Sequence, residues 1–212
     1  MTPSSPTDRT SGPPGHAQYD ESLRQGILTE AVRRLRNAAP DDLGLRPLAA
    51  SQGTSTTAIY TMFGGKAGLL AQVAVEADVE LAAVLTEALG HNSLVGDIRS
   101  LCRAYRRWAL DNRGLYGLVM SELEEPRWRE PLLQVVDALI DEGVFRAADV
   151  HAAATAIWAS LHGVVSLESS VWRESASAEQ YFETQLAAIL RSWTAGAPRP
   201  AAPSDVSTPT AG

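Results

Sequence analysis

Thr56, Thr57, Tyr60 and Thr61 crowd four hydroxyl groups into one short segment, and Lys66, the only lysine in the chain, follows close behind. Threonine can hydrogen-bond a base edge or present its methyl group to thymine, and a helix that enters the major groove reads bases with its N-terminal residues. Thr56 and Thr57 are therefore the expected base readers. Tyr60, one turn further on, is placed for a phosphate, because contacts to the backbone commonly come from side chains flanking the reading residues. Lys66 directly follows Gly64 and Gly65 at the start of the next helix. There, free backbone N–H groups and the positive end of the helix dipole also attract an anion.

The elements that must position these groups are legible in residues 45–70, LRPLAASQGTSTTAIYTMFGGKAGLL. Leu48 and Ala49 give the apolar side of a first short helix, Gly53 sits where a left-handed turn is needed, and Ser55 can cap the next helix. From 55 to 63, Ala58, Ile59, Met62 and Phe63 recur at helical spacing and alternate with the hydroxyl-bearing residues, so that one face packs and the other is polar. This is a helix-turn-helix. An earlier helix carries the stripe Leu23, Ile27, Leu28, Ala31, Val32 and Leu35, and 38–44, with Pro40 and two aspartates, separates the two. The string FGGKA is not a nucleotide loop, since it lacks the earlier glycine, the Ser or Thr after the lysine and a preceding strand.

The leucine-alanine helix, the glycine turn, the Ile59-Tyr60 pair, Phe63 three residues later and Lys66 three beyond that resemble the DNA-binding domain of TetR-type transcriptional repressors. The resemblance runs from about residue 23 to 70. It implies an all-α homodimer: a three-helix helix-turn-helix DNA-binding domain followed by a multi-helix ligand-binding and dimerisation bundle. It also implies that Arg46 contacts a phosphate at the start of the second helix, that Thr56 and Thr57 face bases, and that Tyr60 and Lys66 clamp the backbone. Ser55 and Thr61 complete the expected DNA face. Met62 stands where many members have histidine, which removes a phosphate contact often made there.

The chain has 212 residues, 45% of them hydrophobic, with a mean hydropathy of −0.09. That describes a soluble globular protein with a real core. No run of about 18 apolar residues is present to span a membrane, and the Ser/Thr/Pro-rich N-terminus lacks the apolar segment of a secretory signal, so a cytoplasmic protein without a membrane partner is expected. Cys102 is the lone cysteine, inside an apolar-patterned helix, and reads as a small buried residue. The formal charge of −7 opposes a nucleic-acid partner, yet it is unevenly spread. Residues 1–66 hold seven basic and six acidic groups, and the rest hold 11 basic and 19 acidic ones. The acidity therefore falls outside the helix-turn-helix, and a moderate, strongly salt-dependent affinity for DNA is expected.

Compositional breaks divide the chain into a disordered tail (1–17), the helix-turn-helix domain (18–66), a helical ligand-binding and dimerisation domain (67–195) and a second disordered tail (196–212). A long helix is expected from 66 to about 89. Next comes an amphipathic helix over 95–112, whose Arg99, Arg103, Arg106 and Arg107 read as a solvated face. Further helices follow near 115–123, 131–142 and 149–169. Ser177 with Gln180 forms a capping box for a last helix. The string W-x-x-x-H-G at Trp158, His162 and Gly163, with the preceding 105–120 segment, resembles the C-terminal domain of one TetR-type subgroup.

Catalytic patterns are missing. The four histidines are scattered without metal-ligand spacing, Glu122, Glu124 and Glu125 read as a solvated acidic turn, and no cofactor or metal is implied. Tyr105, Trp108, Tyr116, Met120, Trp158 and His162 are large, several carry a polar tip, and they fall on helices that a bundle brings together. Taken singly each could be core; as a group they suit a small-molecule effector pocket. Phe182, Leu186, Ile189 and Trp193, with Ile157 and Leu161, form an apolar seam expected at a two-fold dimer interface. The expected function is a homodimeric repressor that leaves a palindromic double-stranded DNA operator when a small-molecule effector binds. The alternative is a helical ligand-binding or interaction protein without specific DNA binding.

Overall fold

The structure is a computed structural model that describes residues 15–91, 93–171, 175 and 177–194, with side chains from residue 21 onward. The helices are α1 (Gly15–Leu35), α2 (Leu45–Ser51), α3 (Thr56–Phe63), α4 (Lys66–Glu87), α5 (Leu94–Asp111), α6 (Arg113–Glu122), α7 (Arg129–Asp141), α8 (Val150–Ser170) and α9 (Ala178–Trp193). The fold is all-α, as expected; the β pairing among the described residues is one isolated bridge between Phe145 and Thr194. α1 starts at Gly15, inside the stretch read as a tail, because no proline lies between Pro14 and the end of α1 and the polar residues after Pro14 can continue a helix. The remainder of that expected tail, and all of the C-terminal one, lies outside the described residues.

Two compact units emerge. One holds the described residues up to Ala77 together with Asn112–Glu124, and the other holds Asp78–Asp111 and the described residues from Glu125 onward. The expected cut after residue 66 is a cut in sequence; in space the first unit also keeps the start of α4 and the whole of α6. Its core is Ile27, Leu28, Ala31 and Leu35 from α1, Leu48 and Ala49 from α2, and Ile59 and Phe63 from α3, all buried. α6 joins it through a close backbone approach. A Cβ on Gly114 would lie 2.1 Å from the carbonyl oxygen of Leu35 and 2.2 Å from that of Ala38. The Gly114 N–H itself donates to the Arg36 carbonyl at 3.1 Å, and Arg36 donates to the Asn112 side-chain oxygen.

The second unit is built on α5, α7, α8 and α9. Asp149 caps α8 by accepting from the backbone N–H of His151 at 2.8 Å. The capping box expected at Ser177 does not form: its backbone is already helical and its hydroxyl makes no cap bond. Two of the four arginines read as a solvated face are instead ties between helices. Arg106 makes a two-pronged bond to the buried Glu168 and lies over the Phe182 ring, and Arg103 does the same to Glu183. Removing one partner of the Arg106–Glu168 pair strands a buried charge, at a cost of about 3–5 kcal/mol. Cys102 is buried as expected, and burial pushes its thiol up to about 12. By length and composition alone α8 could cross a membrane, a possibility the reading of apolar runs passed over. Its buried Glu168 and its packing on α5, α7 and α9 are those of a bundle helix.

The apolar seam sits differently from the interface expected of it. Ile157, Leu161, Phe182, Leu186 and Ile189 are buried within a single chain, Leu186 completely, and only Trp193 is part-exposed. Five of the six side chains are thus spent on the chain's own core, because α8 and α9 pack against each other through them. The apolar side chains that these helices leave in solvent are Leu167, Val171 (71% exposed) and Tyr181.

Two glycines of one helix should respond to alanine in opposite directions. Gly117 has open space around its Cβ position, so Gly117→Ala should gain up to about 1 kcal/mol of helix propensity. Gly114→Ala meets two backbone oxygens that cannot give way, and should lose about 1–3 kcal/mol. Chemical denaturation of the two variants checks the pair.

Candidate nucleic-acid interface and ligand site

The turn between α2 and α3 is closed by the backbone. The Thr54 N–H reaches back to the Ala49 carbonyl at 3.0 Å while Gly53 takes φ 63, as the left-handed turn requires. Ser55 then caps α3, accepting from Ala58 N at 3.3 Å, a bond worth about 1 kcal/mol. Buried Ile59 and Phe63 fix the inner face of α3, so Thr57, Tyr60 and Thr61 face solvent and Thr56 is half-buried. The hydroxyls of Thr56, Thr57 and Tyr60 and the Arg46 guanidinium bond no other described residue. Thr61 differs: its hydroxyl donates to the Thr57 carbonyl at 3.0 Å, leaving its oxygen only as an acceptor.

After Phe63 the chain reverses through Gly64 at φ 74 and Gly65 at φ 104. A Cβ on Gly65 would lie 2.9 Å from Cε1 of Tyr60, so the bare glycine lets the tyrosine ring lie against the turn. Tyr60 is 60% exposed, with its ring backed by that turn. α4 begins at Lys66, whose ammonium donates to the Asp41 carbonyl at 3.1 Å. Arg46, Thr57, Tyr60 and Lys66 thus stand on or beside the two short helices and the turn after them.

Charge around these helices is more tied down than a count suggests. Arg33 and Arg34 both bond Glu30 at 2.7 Å and hold its carboxyl down at about 2. Arg24 donates to Gln72 and lies over the Phe63 ring, and Arg36 is engaged by Asn112. Of these cations, Arg46 alone pairs with nothing among the described residues.

In the second unit, aromatic rings form a row. Tyr105 to Trp128, Trp128 to Trp158 and Trp158 to His162 are spaced 5.8, 5.4 and 5.4 Å between centroids, all tilted. The Trp158 indole N–H donates to the Tyr105 hydroxyl at 3.2 Å. His162 Nε2 lies 3.4 Å from the Ser166 hydroxyl. Burial holds its imidazole below the ordinary value, so the ring is neutral at pH 7.

Three of the six expected pocket residues are therefore together: Tyr105, Trp158 and His162. Trp108 turns instead to Glu80, donating at 2.9 Å, while Tyr116 and Met120 sit on α6 in the first unit. Trp128 was missed because it precedes α7 in a Pro-containing connection, where no periodicity marks it. Its place is set by Asp78, which accepts from the backbone N–H groups of Arg127 at 2.8 Å and Trp128 at 3.1 Å. Elsewhere an open cleft of about 640 Å³ lies beside the starts of α7 and α8, lined by Glu125, Arg127, Glu130 and His151 among others. Among the described residues no group of three His, Cys, Asp or Glu could hold a metal ion.

Residues 98–189 match the tetracyclin repressor-like C-terminal domain family. No curated protein matches the chain by sequence. Among solved structures, a protein of unknown function from Rhodococcus sp. RHA1 is similar with a TM-score of 0.71 at 22% identity, over 82% of this chain and 96% of that one. A TetR-family transcriptional regulator from Pectobacterium atrosepticum gives 0.67 at 24% identity, over 85% and 98%. RolR, solved in complex with resorcinol, gives 0.62 at 23% identity, over 86% and 91%. At such identities the likeness is one of fold.

With Arg46 and Lys66 as the main phosphate contacts, the logarithm of DNA affinity should fall with that of salt at a slope of roughly −2 per bound subunit. Lys66→Ala should reduce that slope by about 1 and weaken all sequences alike. Thr57→Ala should leave the slope alone and cost about 1–3 kcal/mol at particular base pairs. Filter binding across a salt series separates the two, and an unchanged slope for Lys66→Ala removes the lysine from the interface.

Proposed function

We propose that this chain, whose C-terminal part matches the tetracyclin repressor-like domain family, is a TetR-type regulator: a homodimeric, cytoplasmic repressor that a small-molecule effector releases from a palindromic operator. The observation that carries the reading is the polar face of α3: unengaged hydroxyls of Thr56, Thr57 and Tyr60 on a helix fixed by Ile59 and Phe63, with Arg46 and Lys66 beside it. Ser55 caps the reading helix and Thr61 extends its polar face. The narrower likeness to the W-x-x-x-H-G subgroup belongs to the same proposal.

The effector meets the ring row of the second unit, with Tyr105, Trp158 and His162 as its contacts. A neighbour of the same fold holding resorcinol supports an aromatic effector of similar size. Release is a shift of population: the effector binds the subunit spacing that mismatches the operator more tightly than the matching one, and only that difference frees DNA. The partner subunit docks on the outer face of α8 and α9. Leu167, Val171 and Tyr181 are exposed there, beside a groove of about 260 Å³ lined by Val164, Tyr181, Thr184 and Gln185.

A second reading, a ligand-binding protein of this fold without specific DNA binding, is favoured by one observation: most cations of the helix-turn-helix unit are already engaged within it. Selection of operators from random double-stranded DNA decides between the two. An enriched palindrome supports the repressor, and no enrichment at low salt rejects it.

Leu167→Glu combined with Val171→Glu should turn the dimer into a monomer in sedimentation velocity at micromolar concentration, because two charges per subunit would be buried unpaired. Leu186→Ala should instead cost about 2–5 kcal/mol of fold stability, since it empties core space within one chain. A double variant that stays dimeric puts the interface on another face.

A further inference from the structure

The ring row contains an unmet donor. Trp128 is 2% exposed, and its indole Nε1–H finds no hydrogen-bond partner, whereas the neighbouring Trp158 indole is satisfied by Tyr105. A buried N–H left without an acceptor keeps its whole desolvation penalty, and native structures retain such a group where something else completes it. Disorder does not explain it. Both oxygens of Asp78 hold the backbone on either side of the Arg127–Trp128 peptide, and the ring is wedged between those of Tyr105 and Trp158. The donor is thus fixed in position. From Trp128 the row leads to Trp158 and then His162, both of which are only half-buried.

We infer that Trp128 Nε1–H is the specificity-determining donor of the effector site, and that it selects a flat aromatic ligand carrying an oxygen acceptor such as a carbonyl. The inference rests on the effector reading above and sharpens it. An apolar ring of the same shape can stack in the row but leaves the donor unmet. A ring with a carbonyl meets it, and a site built to hydrogen-bond a group rejects the analogue that lacks it.

A shape-matched pair of probes, acetophenone and ethylbenzene, tests this through the indole N–H signals of the full-length protein, assigned with single Trp→Phe variants. In the free protein the Trp128 proton should resonate upfield of hydrogen-bonded indoles. Acetophenone should move it downfield and ethylbenzene should not. Trp128→Phe should weaken acetophenone about tenfold, to the level of ethylbenzene, and leave ethylbenzene unchanged. Should that variant fail to fold, the wild-type shift alone decides. A Trp128 signal already downfield in the free protein, or unmoved by acetophenone whether or not other indoles move, overturns the proposal. Operator binding is measured separately: a downfield shift without operator release keeps the donor site and counts against the effector reading, whereas release without the shift does the reverse.

Discussion

The reversal between α3 and α4 is the constraint on which the candidate DNA face depends. A Cβ on Gly68 would lie 1.8 Å from the Phe63 carbonyl oxygen, so the first turn of α4 crosses directly under the last turn of α3. That approach needs the left-handed Gly64 and Gly65 before it. Three consequences follow from the one crossing. Phe63 turns inward to the core, the Tyr60 ring comes to rest on Gly65, and Lys66 starts a helix within reach of the Asp41 carbonyl. A side chain at Gly68 would meet backbone and one at Gly65 the Tyr60 ring, while Gly64 is required by its left-handed φ, so the spacing from tyrosine to lysine is a geometric quantity before it is a motif.

Electrostatics in the same unit work by subtraction. Glu30 collects two guanidiniums, one of which also approaches the Pro47 carbonyl, so that part of the positive charge of α1 goes into bracing α2. Arg24 is used likewise, on Gln72 of α4 and over the ring of Phe63. Arg46 pairs with nothing among the described residues, and Lys66 keeps its full charge against a neutral carbonyl.

Local rules read this chain well where one residue type can satisfy a geometric need. Gly53 in the left-handed turn, Ser55 as a cap and the inward stripe of α1 are all legible, because each answers to its immediate neighbours. The misses are tertiary. Ser177 lost its cap because its own backbone is already helical. Arg106 read as solvated because nothing local announces Glu168, 62 residues away. The seam of α9 was legible as apolar, but periodicity cannot say whether a stripe meets its own chain or a copy. Trp128 belongs to no stripe at all, and only the convergence of α5, α8 and the start of α7 places it in the ring row.

α8 gathers the functions of the second unit because a helix has room for more than two faces. Ile157, Leu161 and Val165 point into the bundle, and Leu167 and Val171 lie in solvent. Trp158, His162 and Ser166, spaced at four residues, form a third face against the rings. At about 100° per residue these faces lie roughly 100–160° apart on one rod, the Trp158 face and the Leu167 face being nearly opposite. The Arg106–Glu168 bond on that rod ties α8 to α5, since sliding one along the other would stretch a buried ion pair.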